Sequence, residues 1–107
     1  MNSACFDFLS SHGIPLSPLG LSEFAVLAKD AAAFIELLRQ ENLPVLGGDV
    51  YLKVQSTVEV GYANWHVDKL PHESHRDFVN RSCDFALDYV RKYKPPESAQ
   101  PCFGFVI

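Results

Sequence analysis

Three observations predict an α+β domain built on an antiparallel sheet. Two stretches repeat apolar residues at helical spacing, the first at Ala31, Phe34, Ile35 and Leu38, the second at Phe78, Phe85, Ala86, Tyr89 and Tyr93. Between them, residues 45–54 and 58–67 carry β-type side chains and are joined by only Gln55-Ser56-Thr57, the spacing of a hairpin. A last apolar run, 102–107, follows the helix-stopping Pro95-Pro96.

Each element has its own local cause. Residues 3–11 place Cys5, Phe8 and Leu9 on one side of a short helix that stops at Gly13, and Pro15 and Pro18 make 13–20 a connector. Phe24, Val26 and Leu27 mark a short strand over 22–28. Asp30 is the expected N-cap of the next helix, because its carboxylate can accept from unpaired amides of the first turn; Pro44 ends that helix. In the first hairpin strand Val50, Leu52 and Val54 alternate with Tyr51 and Lys53, while Gly47-Gly48 at its start predicts a bulge or a close backbone approach. In the second, Val58, Val60 and Tyr62 share one side and Ala63, Trp65 and Val67 the other, so Gly61 marks a bulge that swaps them. Ser74, three residues before Asp77, caps a helix reaching about Tyr93, with Val79 and Val90 widening its apolar stripe.

After the N-terminal helix the order is therefore strand, helix, strand, strand, helix, strand. That is the ferredoxin-like βαββαβ arrangement, a four-stranded antiparallel sheet with two helices on one face. Right-handed crossovers predict the first and third of these strands in the centre and the last on an edge beside the first. The chain is read as one domain, 1–107, with 1–20 as its N-terminal helix and connector.

Composition narrows the function. The 107 residues include 9 Lys+Arg and 13 Asp+Glu, a formal net charge of -4, which argues against nucleic acid as the main partner and makes a basic partner easier to accommodate. Hydrophobic residues at 48% and charged residues at 21% exclude a disordered tail and a membrane protein. The N-terminus has neither a basic start nor a signal-length apolar run, so a cytoplasmic location is expected. Cys5, Cys83 and Cys102 are odd in number, far apart and in no Cys-x-x-Cys pair, the pattern of free core cysteines rather than disulfides or structural zinc.

Chemistry-bearing residues are sparse. His66, Asp68, His72 and His75, with Asp77 nearby, form the densest group of metal-ligand types, but no His-Glu-x-x-His or comparable motif fixes their geometry. A small metal-dependent or hydrolytic enzyme using that group is one reading; solvated loop histidines are the other. No nucleophile elbow, phosphate loop or dinucleotide fingerprint is present, and the expectation is a non-enzymatic protein without cofactor or metal. Asp77, Asp84 and Asp88 recur along one helix edge, with Arg81 and Lys92 placed to pair with Asp77 and Asp88 at i, i+4; this edge is either a solvated face or a docking surface. Trp65, the only tryptophan, either packs under the second long helix or joins Tyr51 and Tyr62 in an aromatic interface patch.

The run Asn42-Leu43-Pro44-Val45-Leu46-Gly47-Gly48-Asp49-Val50-Tyr51, then Asn64-Trp65, then Phe78-Val79-Asn80-Arg81-Ser82, resembles the immunity protein forty family of bacterial polymorphic toxin systems. The resemblance runs from about Glu23 to the C-terminus. It implies a small cytoplasmic protein that binds a cognate toxin domain and blocks its active site. It also implies roles residue by residue: Gly47 and Gly48 shape the strand start, Asp49 accepts from a toxin arginine or from local amides, and Tyr51 and Trp65 supply contact area. With Asp84 and Asp88 on the acidic helix edge, these are the candidate toxin-binding residues. A monomer or weak homodimer is expected, with a self-associating regulatory module as a further alternative.

Overall fold

The computed structural model describes residues 3–107, and of Ser3 only the backbone; Met1 and Asn2, part of the expected segment 1–20, lie outside the described residues. Along the chain run α1 (Ser3–His12), β1 (Gly13–Pro15), a single 3-10 turn (Ser17–Leu19), β2 (Phe24–Leu27), α2 (Ala28–Gln40), β3 (Gly47–Val54), β4 (Thr57–His66), α3 (His75–Lys92) and β5 (Gln100–Val106). The α+β class and the order of the six main elements agree with the sequence. The short N-terminal helix expected over residues 3–11 is present as α1, and strand β1 adds a fifth strand to the expected four among the described residues.

The sheet order is β1-β2-β5-β3-β4, antiparallel throughout, which corrects the ferredoxin-like four-strand order. Strand β5 was expected on an edge and instead lies between β2 and β3; β4 was expected in the centre and instead forms an edge. The physical reason is burial on both faces. Cys102 and Phe103, adjacent residues whose side chains point to opposite sides, are both fully buried, and a strand apolar on both sides belongs in the interior of a sheet. Strand β4 instead exposes Thr57, Glu59, Asn64 and His66. Both split βαβ units survive, since β5 separates the parallel pair β2 and β3, and β3 separates β4 and β5. The connector 13–20 holds β1, a three-residue edge strand whose Pro15 is tolerated because edge strands leave donors unpaired.

Two cores sandwich the sheet. On one side Val26, Val50, Trp65 and Phe103 pack against Cys5 of α1, Phe34, Ile35 and Leu38 of α2, and Phe78, Val79, Cys83 and Ala86 of α3. On the other, Ala25, Tyr51 and Cys102 are covered by Leu16 and by half-buried Leu19 and Leu21, carried across the sheet by the 3-10 turn. All three cysteines are fully buried, and burial pushes their thiols up, that of Cys5, which also donates to the Glu41 carboxylate, to about 12.

Helix ends depart from expectation at two points. Leu27, not Asp30, is the N-cap of α2, and Asp30 lies in the first turn, where its charge complements the helix dipole. The same helix ends before Pro44: Asn42 adopts a left-handed φ of 60°, with Asn42 N–H bonded to Arg39 O and Leu43 N–H to Leu38 O. This pair of bonds is a Schellman motif. Helix α3 begins as expected, the Ser74 hydroxyl accepting from the Asp77 amide at 3.0 Å. Phe85 is the exception in its stripe, being 47% exposed; its place facing the core is taken by Ser82 and Cys83.

Candidate docking surface on the sheet

The motif residues divide into those that build the fold and those left over. Asn42 Oδ1 and O accept from Arg76 and His75, which ties the end of α2 to the start of α3. Val45 donates its amide to the Ser82 hydroxyl at 3.0 Å, fixing the approach to β3. A Cβ on Gly47 would lie 2.3 Å from the Trp65 carbonyl oxygen, and one on Gly48 2.3 Å from the Trp65 ring, so both glycines are required by close approach. Val50 faces the helix-side core, whereas Tyr51 turns to the other side and lies over Gly104, 3.1 Å from where a Cβ would be. In the third motif Phe78 and Val79 are core, Asn80 accepts from Arg39, and Arg81 clamps Glu73.

Asp49 stands apart. It is exposed, and among the described residues its carboxylate has no hydrogen-bond or ion-pair partner; the expected alternative of a local bond at the bulge does not form. Its cross-strand neighbour Asn64 is also exposed, its side-chain amide has no partner among the described residues, and its backbone carbonyl accepts from the Tyr89 hydroxyl at 3.5 Å. Directly opposite residues on paired strands share a face, so both project from the side that carries Tyr51, away from the helices.

A shallow groove of about 420 Å³ runs along this face, lined by Leu21, Asp49, Tyr51, Val60, Tyr62 and Asn64. The bulge expected at Gly61 is present: Asp49 pairs with Asn64 but Tyr51 with Val60, so three residues of β4 oppose one of β3. Two extra residues preserve the side-chain alternation, and the expected swap of faces does not occur. What the bulge does is present Tyr62, at a left-handed φ of 57° and 93% exposed. A left-handed φ at a non-glycine residue is strained, and here it holds a bare aromatic outward. Tyr51 itself is 6% exposed, and burial, followed by the charges of Asp49 and Glu23, holds its hydroxyl above the usual phenol range.

The remaining candidates sit elsewhere. Trp65 is 7% exposed beneath α3, its ring 4.4 Å from that of Tyr89, so it does not join Tyr51 and Tyr62 in one patch; the sheet separates it from them. Asp84 and Asp88 are exposed on α3, on the opposite side of the sheet from Asp49, and both are paired, Asp84 to Arg39 at 2.6 Å and Asp88 to Lys92 at 3.1 Å. Arg81 was expected to pair with Asp77 and instead binds Glu73, leaving Asp77 without a cation within reach among the described residues.

The histidine group is brought together only in part. His66 Nε2 lies 2.6 Å from Asp68 Oδ1, while His75 Nε2 turns to the Asn42 carbonyl at 2.8 Å and His72 is exposed on a left-handed turn. Among the described residues no three His, Cys, Asp or Glu side chains converge as metal ligands, and no helix is long and apolar enough to cross a membrane.

The loop before α3 is pinned by an ion pair between Glu73 and Arg81. Glu73 accepts from Arg81 at 2.7 and 2.9 Å and from the Leu70 amide at 3.0 Å, and these contacts, Arg81 foremost, lower its carboxyl from 4.5 to about 2. The lowered value means that the contribution to stability is complete above 4.5 and is lost as pH falls through about 2. Arg81→Gln is expected to move the Glu73 titration midpoint upward, toward but not fully to 4.5, because the Leu70 amide remains. Carboxyl-detected NMR titration reads this directly; an unmoved midpoint would contradict the assignment.

No curated protein and no solved structure matches the chain. A sequence model described as Immunity protein 40 does, over residues 15–107, a span that includes every element from the last residue of β1 to the C-terminus and all three motifs accounted for above. The chain belongs to the Immunity protein 40 family.

Proposed function

We propose that the protein is a non-enzymatic immunity protein that binds a cognate toxin domain through the sheet face around Asp49 and blocks the toxin's active site. Family membership supports an immunity role. The observation that carries the choice of surface is the contrast within one motif: Gly47, Gly48, Val50 and Tyr51 are each used by the fold, and Asp49 is exposed and has no partner among the described residues. Beside it, Val60 and Tyr62 expose apolar surface in a groove, and tyrosine is a favoured interface anchor. The setting is cytoplasmic, where a producing cell has to restrain a toxin of its own. Gly47 and Gly48 contribute through the strand geometry that aims Asp49, and Tyr51 through the floor of the groove. Trp65 contributes by holding β4 against β3, and Asp84 and Asp88 lie outside the contact.

The test is neutralisation of a toxin domain encoded next to the gene. One equivalent of the purified protein is expected to form a one-to-one complex and abolish toxin activity, with the titration breaking at equivalence. Protection at far below one equivalent would instead identify an enzyme that reverses the toxin's product.

A further inference from the structure

We infer that the groove seats a single arginine side chain of the partner protein, its guanidinium held between the Asp49 carboxylate and the Tyr51 hydroxyl. That the partner is a toxin rests on the reading above; the arginine chemistry rests on the groove itself.

Asp49 lies directly opposite Gly104 on β5, and the Tyr51 ring occupies the space a side chain at Gly104 would take, so ring and carboxylate are neighbours on one face. Tyr51 is more than nine-tenths buried and lines the groove, yet its hydroxyl has no hydrogen-bond partner among the described residues. Asp49 likewise has none. A carboxylate and a phenol oxygen left open side by side offer three oxygen acceptors, and among the described residues no cation pairs with them.

Geometry selects the cation. A guanidinium is planar, carries five donors and can engage both oxygens of a carboxylate while presenting a further N–H sideways to a second acceptor. An ammonium is a point donor with a tighter hydration shell, and loses more on entering a partly apolar groove. Val60 and Leu21 supply the apolar surface along which the methylene stem of an arginine can lie. Tyr62, exposed at the rim, offers a ring face for the guanidinium plane to stack on. The exposed Glu23, whose charge reaches Tyr51, adds to the negative potential at the same end of the face.

The probe is the peptide acetyl-Gly-Arg-Gly-amide, titrated into the isotope-labelled full chain at low salt and followed by amide NMR, with the lysine peptide as comparison. Saturable shifts are expected at Asp49, Asn64 and Gly104, with the lysine peptide weaker by about fivefold. Asp49→Asn and Tyr51→Phe are each expected to weaken arginine binding by about threefold or more, while the thermal midpoint holds, since Tyr51→Phe keeps the ring over Gly104. Shifts spread evenly over the acidic residues, equal affinity for the two peptides, or arginine binding untouched by Asp49→Asn would each overturn the inference. Arginine-specific shifts in a chain that neutralises no toxin would support this site while removing the immunity reading. Neutralisation by a chain without such shifts would overturn the site and leave that reading in place.

Discussion

Alanine at Gly48 is expected to destabilise the protein by about 3 kcal/mol, the upper end of what overpacking costs, and alanine at Trp65 by about 3 to 5 kcal/mol. Against a total of about 5–15 kcal/mol for a domain of this kind, either change leaves little margin. The Gly48 effect has two parts. A Cβ there would stand 2.3 Å from the Trp65 ring and 2.7 Å from the Gly104 carbonyl oxygen. Removing the indole relieves the first clash and not the second, because a main-chain oxygen within a ladder cannot step aside. Urea unfolding of the two single variants and the double variant is therefore expected to show a double-variant cost below the sum, by about 2 kcal/mol. Gly47→Ala serves as the control. Its Cβ would meet the Trp65 carbonyl oxygen at 2.3 Å, a backbone atom that Trp65→Ala leaves in place, so additivity is expected. Additive Gly48 and Trp65 costs would show that the indole is not what this glycine makes room for. Trp65→Phe is expected to be milder than ring removal, since it also deletes a buried indole N–H that has no partner among the described residues.

Helices and hairpin were legible in the sequence because their signals are local. Spacing at Ala31, Phe34, Ile35 and Leu38, the Ser74 cap and the short connection at Gln55-Ser56-Thr57 each act within a few residues, and each appears in the structure, the connection shortened by Thr57, which belongs to β4. Strand order was not legible from element order alone, because right-handed crossovers permit more than one arrangement of two split βαβ units. The discriminating signal was the near-continuous apolar run Cys102-Phe103 with Phe105 and Val106, set against a second hairpin strand rich in polar residues. Periodicity likewise misplaced Phe85. Fully buried Ser82 and Cys83 mark the inner face of α3, and a serine in the core is predicted only when its partner, the Val45 amide 37 residues earlier, is known. Of the candidate site, Asp49 was visible from its motif. Tyr62 had a signal, the adjacent Gly61, but its exposure depends on a two-residue bulge that composition does not measure. The burial of Trp65 and Tyr51 follows from glycines on neighbouring strands, Gly48 and Gly104, and pairing across strands decides which glycine an aromatic covers.

Reversing the charge at Asp49 is expected to weaken binding of the cognate toxin domain about 100-fold, close to 2.8 kcal/mol, with the thermal midpoint of the free protein unchanged. The size follows from replacing an attraction at the centre of a contact by a repulsion, in a groove where apolar neighbours reduce screening. The unchanged midpoint follows from the absence of any partner for Asp49 among the described residues, so nothing in the fold is lost. Charge reversal on α3 supplies the contrast. Asp88→Lys removes only an exposed pair with Lys92, and is expected to alter neither binding nor stability by more than about 0.5 kcal/mol. Asp84→Lys breaks the bridge to Arg39, whose side chain is 18% exposed and holds α2 to α3 together with Asn80, so it is expected to lower stability by about 1 kcal/mol without a matching loss of affinity. Stability and affinity measured on the same preparations separate the cases. Loss of affinity confined to the α3 variants, with Asp49→Lys binding as the parent does, would move the docking surface to the helical side of the sheet.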